Sequence, residues 1–351
     1  MKVSVSAIGA FALLTPLVSG QTIMDIFNTY SHVGSGKSYT LANITDALKA
    51  DPAALALVNQ GGSTFFAPID SSYIPAVGGL GAAATPNYLH AALSYHTLLS
   101  QLYNPGGSAQ AYALLETALK APISSQYVNL PNGGQKIVAL KGQPTKLKYG
   151  QPSQAVILET IVASNGIVNV IDQFLLVPPA VSASASTFGA TQFVKYLGQA
   201  NMTSMVDGLS GVTVLVPQDN AFQAIASTLA GYSTQQLQTL LQSHIIKQTV
   251  FSTNIVGGAA LTTFGGPSVS LSGTGGLTAT GDNVTATVVN SDVTVAGGAM
   301  HVIDTVLFAT AAPSAPATTN PTPNANDASR LSISRAVVSL VGAAVIAALA
   351  L

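Results

Sequence analysis

One ten-residue phrase occurs twice in this chain, and the repeat limits the possible folds more than any other feature. The first copy, TFFAPIDSSY, covers residues 64–73, and the second, TVLVPQDNAF, covers residues 213–222. Each copy is a short apolar strand followed by a proline, an aspartate and an aromatic residue. Asp70 therefore aligns with Asp219, and one structural unit used twice is predicted.

Each copy continues with a helix whose apolar face ends on a histidine. Apolar residues at i, i+3 and i+4 are followed at i+7 by His96 in the first copy and by His244 in the second. Thr85, followed by a proline, predicts the start of the first helix. Ser233, with a glutamine three residues later, forms a capping box that predicts the start of the second.

Both copies end on the same kind of strand. The segments SNGIVNVIDQFLLVP and AGGAMHVIDTVLFAT align Asp172 with Asp304. Three landmarks in one order indicate a tandem duplication. Helices come first in each copy, then a strand, further helices and a run of hairpin strands separated by Gly, Pro and Asn. This order predicts an α+β fold in which a β-sandwich or sheet is flanked by helices.

Together these blocks resemble the fasciclin domain, a secreted adhesion module. TVLVPQDNAF and HVIDTVLF look like its first and last blocks, and Tyr95-His96 matches its middle pair, whereas the second copy has Ser243-His244. The resemblance implies two tandem fasciclin-like domains, and a function in cell adhesion or in association with the cell wall and matrix. The family-motif positions that it carries over are Asp70, Tyr95, His96, Asp172, Asp219, His244 and Asp304.

The two ends of the chain have the composition of processing signals. Residues 1–20 combine one lysine, an apolar run and small residues, which predicts a secretory signal peptide. Small residues, a polar spacer and a final apolar block predict a glycosylphosphatidylinositol (GPI) anchor, with 327–351 as the removed propeptide. Attachment is expected at Asn326, with Asn324 as the alternative, and a plain tail-anchored helix is the competing interpretation. The expected location is the extracellular face of the plasma membrane, with transfer to the cell wall also open.

Between these ends the sequence predicts an ordered series of segments. They are a first fasciclin-like domain (21–178), a linker (179–186), a second domain (187–310) and a Pro/Ser/Thr-rich stalk (311–326). Three sequons suit a secreted glycoprotein, and N-glycosylation is expected at Asn43, Asn201 and Asn283.

Composition argues against several classes of function. The chain has no cysteine, which excludes disulfides, thiolate zinc sites and thiol nucleophiles. Of 12 basic and 13 acidic residues, nine and twelve remain once both end segments are removed, a balance that argues against nucleic-acid binding. No serine-nucleophile elbow or paired-histidine zinc motif occurs. No catalytic, cofactor-binding or metal-binding residue is therefore predicted, and the chain is not expected to be an enzyme.

Several residue sets nevertheless have two interpretations. Gly36-Lys37-Ser38 resembles the end of a phosphate-binding loop, but Ser31 stands where its first glycine belongs, so a flexible loop is favoured. His96 and His244 are interpreted as packed residues rather than metal ligands, with a pH-sensitive role left open. The four lysines in residues 136–148 are interpreted as a solvated hairpin face, with polysaccharide contact as the alternative.

The four motif aspartates could also be imagined as paired acids of a glycoside hydrolase. Each follows a strand and precedes a helix or turn, so capping or turn fixing is favoured.

Expected partners are cell-surface or matrix proteins, wall polysaccharides and the membrane through the GPI lipid, with homophilic contact also open. A binding module for a polysaccharide or an apolar small molecule is the alternative function, which a pocket lined by Tyr88, Tyr95 and Tyr103 would favour. A hydrolase, which needs converging carboxylates, is the third.

Overall fold

A computed structural model describes residues 20–34, 37–107, 112–120, 127–255, 257–273 and 276–308. All of them belong to one compact unit. Residues 1–19 of the predicted signal peptide, the stalk and both candidate anchor sites, Asn324 and Asn326, lie outside the described residues. No helix in the described ranges is long and apolar enough to span a bilayer.

The first repeat, residues 20–178, begins with helices and ends with strands. Its helices are α1 (Ile23–Thr29), α2 (Ala42–Ala50), α3 (Pro52–Asn59), α4 (Asp70–Leu80) and α5 (Pro86–Tyr95). Its strands are β1 (Ser31–Gly34), β2 (Lys37–Thr40), β3 (Ser63–Pro68), β4 (Thr97–Leu98), β5 (Tyr112–Glu116), β6 (Lys136–Leu140), β7 (Lys146–Lys148), β8 (Ala155–Ala163) and β9 (Gly166–Ile171).

The second repeat, residues 179–308, follows the same order. Its helices are α6 (Val181–Thr187), α7 (Thr191–Gln199), α8 (Thr203–Asp207), α9 (Asp219–Ala224), α10 (Ala226–Leu229) and α11 (Thr234–Ser243). Its strands are β10 (Val212–Pro217), β11 (Ile245–Ile246), β12 (Ala260–Thr262), β13 (Ser268–Ser272), β14 (Thr278–Gly281), β15 (Val284–Val295) and β16 (Gly298–Ile303). Short 3₁₀ turns lie at Gly81–Ala83, Pro105–Gly107 and Ser252–Asn254.

A seven-stranded sheet forms the centre of each repeat, and the two sheets have the same topology. The strand orders are β4-β3-β9-β8-β7-β6-β5 and β11-β10-β16-β15-β14-β13-β12. The first and last sequence blocks form β3 with β9, and β10 with β16, which pair in parallel. All residues of these four strands are buried, as expected for strands covered on both faces. The predicted α+β class is confirmed.

Each sheet curls until its two ends meet. The amide of Ala118, just after β5, donates to the carbonyl of Thr97 in β4 at 2.7 Å. In the second repeat the amide of Phe264 donates to the carbonyl of Ile245 in β11 at 2.9 Å. These bonds engage backbone groups that an open sheet would leave on its edges, where they invite pairing with other chains.

The helices of each repeat contribute buried aromatic side chains to its core. Phe27 of α1 meets Phe65 of β3 edge to face, with ring centroids 5.4 Å apart. In the second repeat, Phe193 of α7 and Phe222 of α9 join two helices, with ring centroids 6.4 Å apart and the planes tilted by 35°. All four rings are buried. Aromatic burial of this kind gives each repeat its own core.

Two segments differ from expectation. In the segment 31–38, expected to form a flexible loop, the described residues are strands, because β1 pairs with β2 in antiparallel register. The predicted linker over residues 179–186 is largely helix α6, whose Val181 and Ala185 are buried in the second core. The side chain of Asp207 accepts hydrogen bonds from the amide and hydroxyl of Ser182 in its first turn. The Ala/Ser composition hid an apolar stripe with helical spacing, so the segment looked like a connector.

Candidate functional site

The two histidine-bearing helices begin and end where the sequence predicts. Thr85 caps α5 by accepting a hydrogen bond from the amide of Tyr88, and Ser233 forms the predicted capping box on α11. His96 and His244 occupy the C-cap positions.

Both histidines are buried and use both ring nitrogens inside the fold. In His96, Nδ1 bonds to the Phe66 carbonyl at 2.6 Å, and Nε2 accepts from the Leu175 amide at 3.0 Å. In His244, Nδ1 bonds to the Leu240 carbonyl at 2.9 Å. Its Nε2 accepts from the Leu307 amide at 3.0 Å. Each ring therefore carries its proton on Nδ1 and is neutral.

Burial lowers the pKa of both His96 and His244 to about 4, although their backbone hydrogen bonds act in the opposite direction. No nitrogen is left for a ligand. Within the described ranges, no group of three or more His, Cys, Asp or Glu residues could hold a metal ion. The two rings instead tie the histidine-bearing helix of each repeat to the segment after its last strand.

Asp70 and Asp219 each cap a helix that begins 28 residues earlier in the chain. Asp70 accepts from the amides of Ala42 (3.0 Å) and Asn43 (2.8 Å) at the start of α2, and from a Thr40 hydroxyl. Partial burial opposes ionisation of Asp70, but these hydrogen bonds outweigh it and lower its pKa.

Asp219 repeats this arrangement at the start of α7. It accepts from the Thr191 hydroxyl and from the Gln192 amide, both at 2.7 Å. Helix starts leave such amides without intrahelical partners, so a carboxylate brought from elsewhere in the chain can satisfy them.

Asp172 and Asp304 each bond to the backbone beside an irregularity in the pairing of two strands. Asp172 accepts from the Val156 amide at 2.7 Å and donates its own amide to the Val156 carbonyl. Asp304 forms the same pair of bonds with Thr287. A register shift follows each contact, where β8 meets β9 and β15 meets β16. Each of the four motif carboxylates is thus bound to the backbone of a different segment of the chain.

Tyr95 differs from the histidine beside it, because it faces the other repeat. Its ring is buried, its hydroxyl donates to the Lys136 carbonyl at 2.9 Å, and burial raises its pKa. The Thr294 hydroxyl of the second repeat lies close to it without hydrogen-bond geometry. The second repeat has Ser243 instead, and a Cβ placed on Gly265 would lie 2.2 Å from its Oγ. The adjacent chain fills the space that a tyrosine would need.

Sequence reasoning missed a third buried histidine, His301. Its Nε2 bonds to the Val250 carbonyl at 2.9 Å, while its Nδ1 accepts from the Asp292 amide at 3.1 Å. Burial lowers its pKa. Asn169 stands at the matching place in GIVNVID and donates to the Tyr103 carbonyl at 3.0 Å. The signal was present, since aligning GIVNVID with GAMHVID places a polar residue in both buried strands.

The two repeats are joined by direct hydrogen bonds, which no pattern in the sequence predicts. The Asn129 side chain donates to the carbonyls of Gly208 and Leu209 at 2.7 and 3.1 Å. The Gln135 side chain donates to the Val295 carbonyl at 2.9 Å. Such bonds, made to backbone and partly buried, fix one repeat against the other.

Apolar and charged contacts complete this interface. Phe251 and Ala299 of the second repeat pack in one buried cluster with Val138 of the first. The Lys148 ammonium donates to the Ser291 carbonyl at 2.8 Å. Burial lowers the pKa of Lys148, and the charge of nearby Asp292 partly offsets this.

The lysines of residues 136–148 do not form one basic face. Lys136 pairs with Glu116 at 2.5 Å, and Lys148 is committed to the second repeat. Lys141 and Lys146 remain exposed.

Two clefts open where the repeats meet. The tyrosine cleft, about 740 Å³, contains Tyr88 and Tyr127, whose rings meet edge to face with centroids 5.4 Å apart. Tyr95 and Tyr103 lie in the first core instead, so the structure does not gather the three predicted tyrosines around this cleft. The lysine cleft, about 310 Å³, has Lys136 from the first repeat and Lys247 from the second among its lining residues.

The family model of the fasciclin domain matches residues 40–178 and again residues 188–309. This chain belongs to the fasciclin family. The resemblance drawn from the sequence blocks is confirmed, and each repeat is a fasciclin domain. In the first domain, α1 and strand β1 precede the matched region, and Ile26 and Phe27 of α1 are buried in the same core.

Known proteins with related sequences include fungal and animal fasciclin proteins. Fasciclin-like arabinogalactan proteins of Cercospora beticola and Phaeosphaeria nodorum are 26% and 29% identical over 147 residues, 41% of this chain and 38% and 45% of theirs. Transforming growth factor-beta-induced protein ig-h3 of Oryctolagus cuniculus is 28% identical over 108 residues, 30% of this chain and 15% of that protein. The matched segments thus span less than half the length of these relatives.

A solved structure is also similar. It is a FAS1 domain pair from the insect cell adhesion molecule fasciclin I, with a TM-score of 0.37 and 17% identity over 76% of this chain and 96% of that one.

Proposed function

We propose that this fasciclin protein is a surface glycoprotein that works by non-covalent adhesion, or by association with the cell wall and matrix, and not as an enzyme. The observation that carries the proposal is the use of the motif side chains. The buried rings of His96 and His244 and the carboxylates of Asp70 and Asp219 all bond within the fold. The outer surfaces and the clefts are therefore the parts of the protein available to bind a partner. The fungal fasciclin-like arabinogalactan relatives support an extracellular location.

The proposed route to the surface is the one that the sequence indicates. It comprises a signal peptide over residues 1–20, a GPI anchor at Asn326 or Asn324, and N-glycans. Two sequons have geometry that suits a glycan, since Asn201 and Asn283 are exposed residues in left-handed turns, with φ of 55° and 65°. Asn43 is half-buried at the start of α2, beside Asp70.

The proposed partners are wall polysaccharides and cell-surface or matrix proteins, including a second copy of the chain. The ligand-binding alternative has one observation in its favour, the pair of clefts between the domains. The hydrolase alternative gains no support from the described residues, because the motif carboxylates are bound to separate backbone segments.

Bead adhesion tests the proposal directly. The full-length chain, made in a glycosylating host, is coated on beads and compared with an unrelated glycoprotein at equal density. Clumping of the beads, or retention on cells or isolated wall polysaccharide above the control, is expected. Beads that match the control on every surface would refute adhesion by this chain.

A further inference from the structure

We propose that the lysine cleft between the two fasciclin domains binds a carboxylate-bearing sugar, a hexuronate residue of an acidic polysaccharide. This inference rests on the proposed wall association and names the chemistry that the cleft would recognise. Its basis is the combination of charge, amide groups and shape that the two domains create together.

The size of the cleft suits a small number of sugar rings. Its volume of about 310 Å³ is at the lower end of the usual range for ligand pockets. The buried ring of Phe251 contributes an apolar wall. Asn132 and Gln248 are exposed and Thr249 is half-buried on the same lining. Side-chain amides and hydroxyls are the groups that can both donate to and accept from sugar hydroxyls.

Of the two lysines that line the cleft, Lys247 carries a charge that the described residues do not balance. Lys247 is exposed, its ammonium lies 5.5 Å from the centre of the Phe264 ring, and no described carboxylate forms an ion pair with it. On the opposite side Lys136 pairs with Glu116, whose carboxylate also accepts from the Gly134 amide and is influenced by Lys120. The lining itself contains two lysines and no acid.

Three carboxylates of the second repeat are already bound within the fold. Asp219 caps α7, Asp292 accepts from the amide and hydroxyl of Ser252, and Asp304 holds the β15–β16 irregularity. A carboxylate supplied from outside would meet an ammonium with neutral amide groups beside it, an arrangement that favours a charge-assisted hydrogen bond. A neutral sugar could use the amides but not the charge.

The site exists only when the domains are together. The first domain contributes Asn132 and Lys136, and the second contributes Lys247 and Gln248. Gly211 permits the close approach, because a Cβ at this position would lie 2.9 Å from Cγ of Pro131, and its φ of +68° favours glycine. The cleft thus gives the domain pair a binding function that neither half has alone.

Calorimetric titration of the full-length chain with tetragalacturonate tests the proposal, because the fully methyl-esterified tetramer has the same sugar chain but no negative charge. We expect the acid form to bind, to weaken with added salt, and to bind at least ten-fold more tightly than the ester. Lys247→Gln should weaken acid binding about ten-fold, whereas Lys247→Arg should retain most of it. The matched control is Lys195→Gln, which removes the same charge from α7 beside Tyr196 and should bind like the parent chain.

Equal affinity for the acid and the ester, or equal behaviour of Lys247→Gln and Lys195→Gln, would overturn the assignment. Lys247 is exposed, so Lys247→Gln should not weaken binding by unfolding the protein. Equal melting temperatures of the variant and the parent chain would verify this. If parent beads still adhere to wall material while tetragalacturonate does not bind, the cleft assignment fails and adhesion stands. If the beads also fail, the proposed function fails with it.

Discussion

Mild acid should destabilise this protein through its two buried, neutral histidines. The pKa values of His96 and His244 fall from 6.5 to about 4 on folding, because burial disfavours the charged ring. The unfolded chain therefore takes up protons first as the pH falls. The stabilisation is complete above pH 6.5 and declines as the pH drops towards 4.

The expected loss is large compared with the stability of an ordinary domain. At pH 5.5 each histidine costs about 1.4 kcal/mol, so both together cost about 3 kcal/mol. Below both pKa values each would cost about 3.4 kcal/mol. Typical unfolding free energies are only about 5–15 kcal/mol. Burial also lowers the pKa of His301, so this residue adds to the loss of stability as the pH falls.

Urea unfolding followed by circular dichroism at about pH 7.5 and 5.5 measures this loss. Carboxylates are ionised across that window, so histidines dominate the change. The matched variant is His96→Gln with His244→Gln, because an amide can donate and accept but cannot titrate. It should be less stable at the higher pH and lose about 3 kcal/mol less on acidification. Equal losses in parent and variant would refute the reasoning.

Three further predictions follow from single contacts. Asp219→Ala should cost about 1–2 kcal/mol in urea unfolding, because α7 loses its cap; an unchanged midpoint would contradict this. Phe251→Ala should cost about 3 kcal/mol and divide one urea transition into two, since the ring joins the domains; one unaltered transition would count against it. Asn201→Gln and Asn283→Gln should each remove one glycan by gel mobility, whereas Asn43→Gln should not, because Asn43 is bound at the Asp70 cap.

The repeated blocks were enough to predict the family and the fold class, because their patterns are local. An apolar strand before Asp70 and a capped helix ending at His96 are visible in short windows of sequence. The hydrogen-bond partners of those residues cannot be recognised in such windows. That Asp70 caps α2, and not the helix in which it lies, depends on a contact 28 residues back that no local pattern encodes.

Features that depend on the two repeats together were beyond sequence reasoning. Tyr95 matched a family pair, but its place beside Thr294 of the other domain has no local signal. The same is true of Asn129 and Gln135, whose targets are backbone carbonyls. Every residue has a backbone carbonyl, so the amino-acid sequence does not indicate which carbonyl accepts the hydrogen bond.

The docking of the two domains changes how a tandem protein can gain avidity. Modules on a flexible linker search for a second site at an effective concentration set by linker length. Here helix α6 replaces most of the predicted linker, and Gln135 and Phe251 hold the domains together. The pair therefore presents its two surfaces at one fixed separation, and it should select partners whose own binding sites repeat at that spacing.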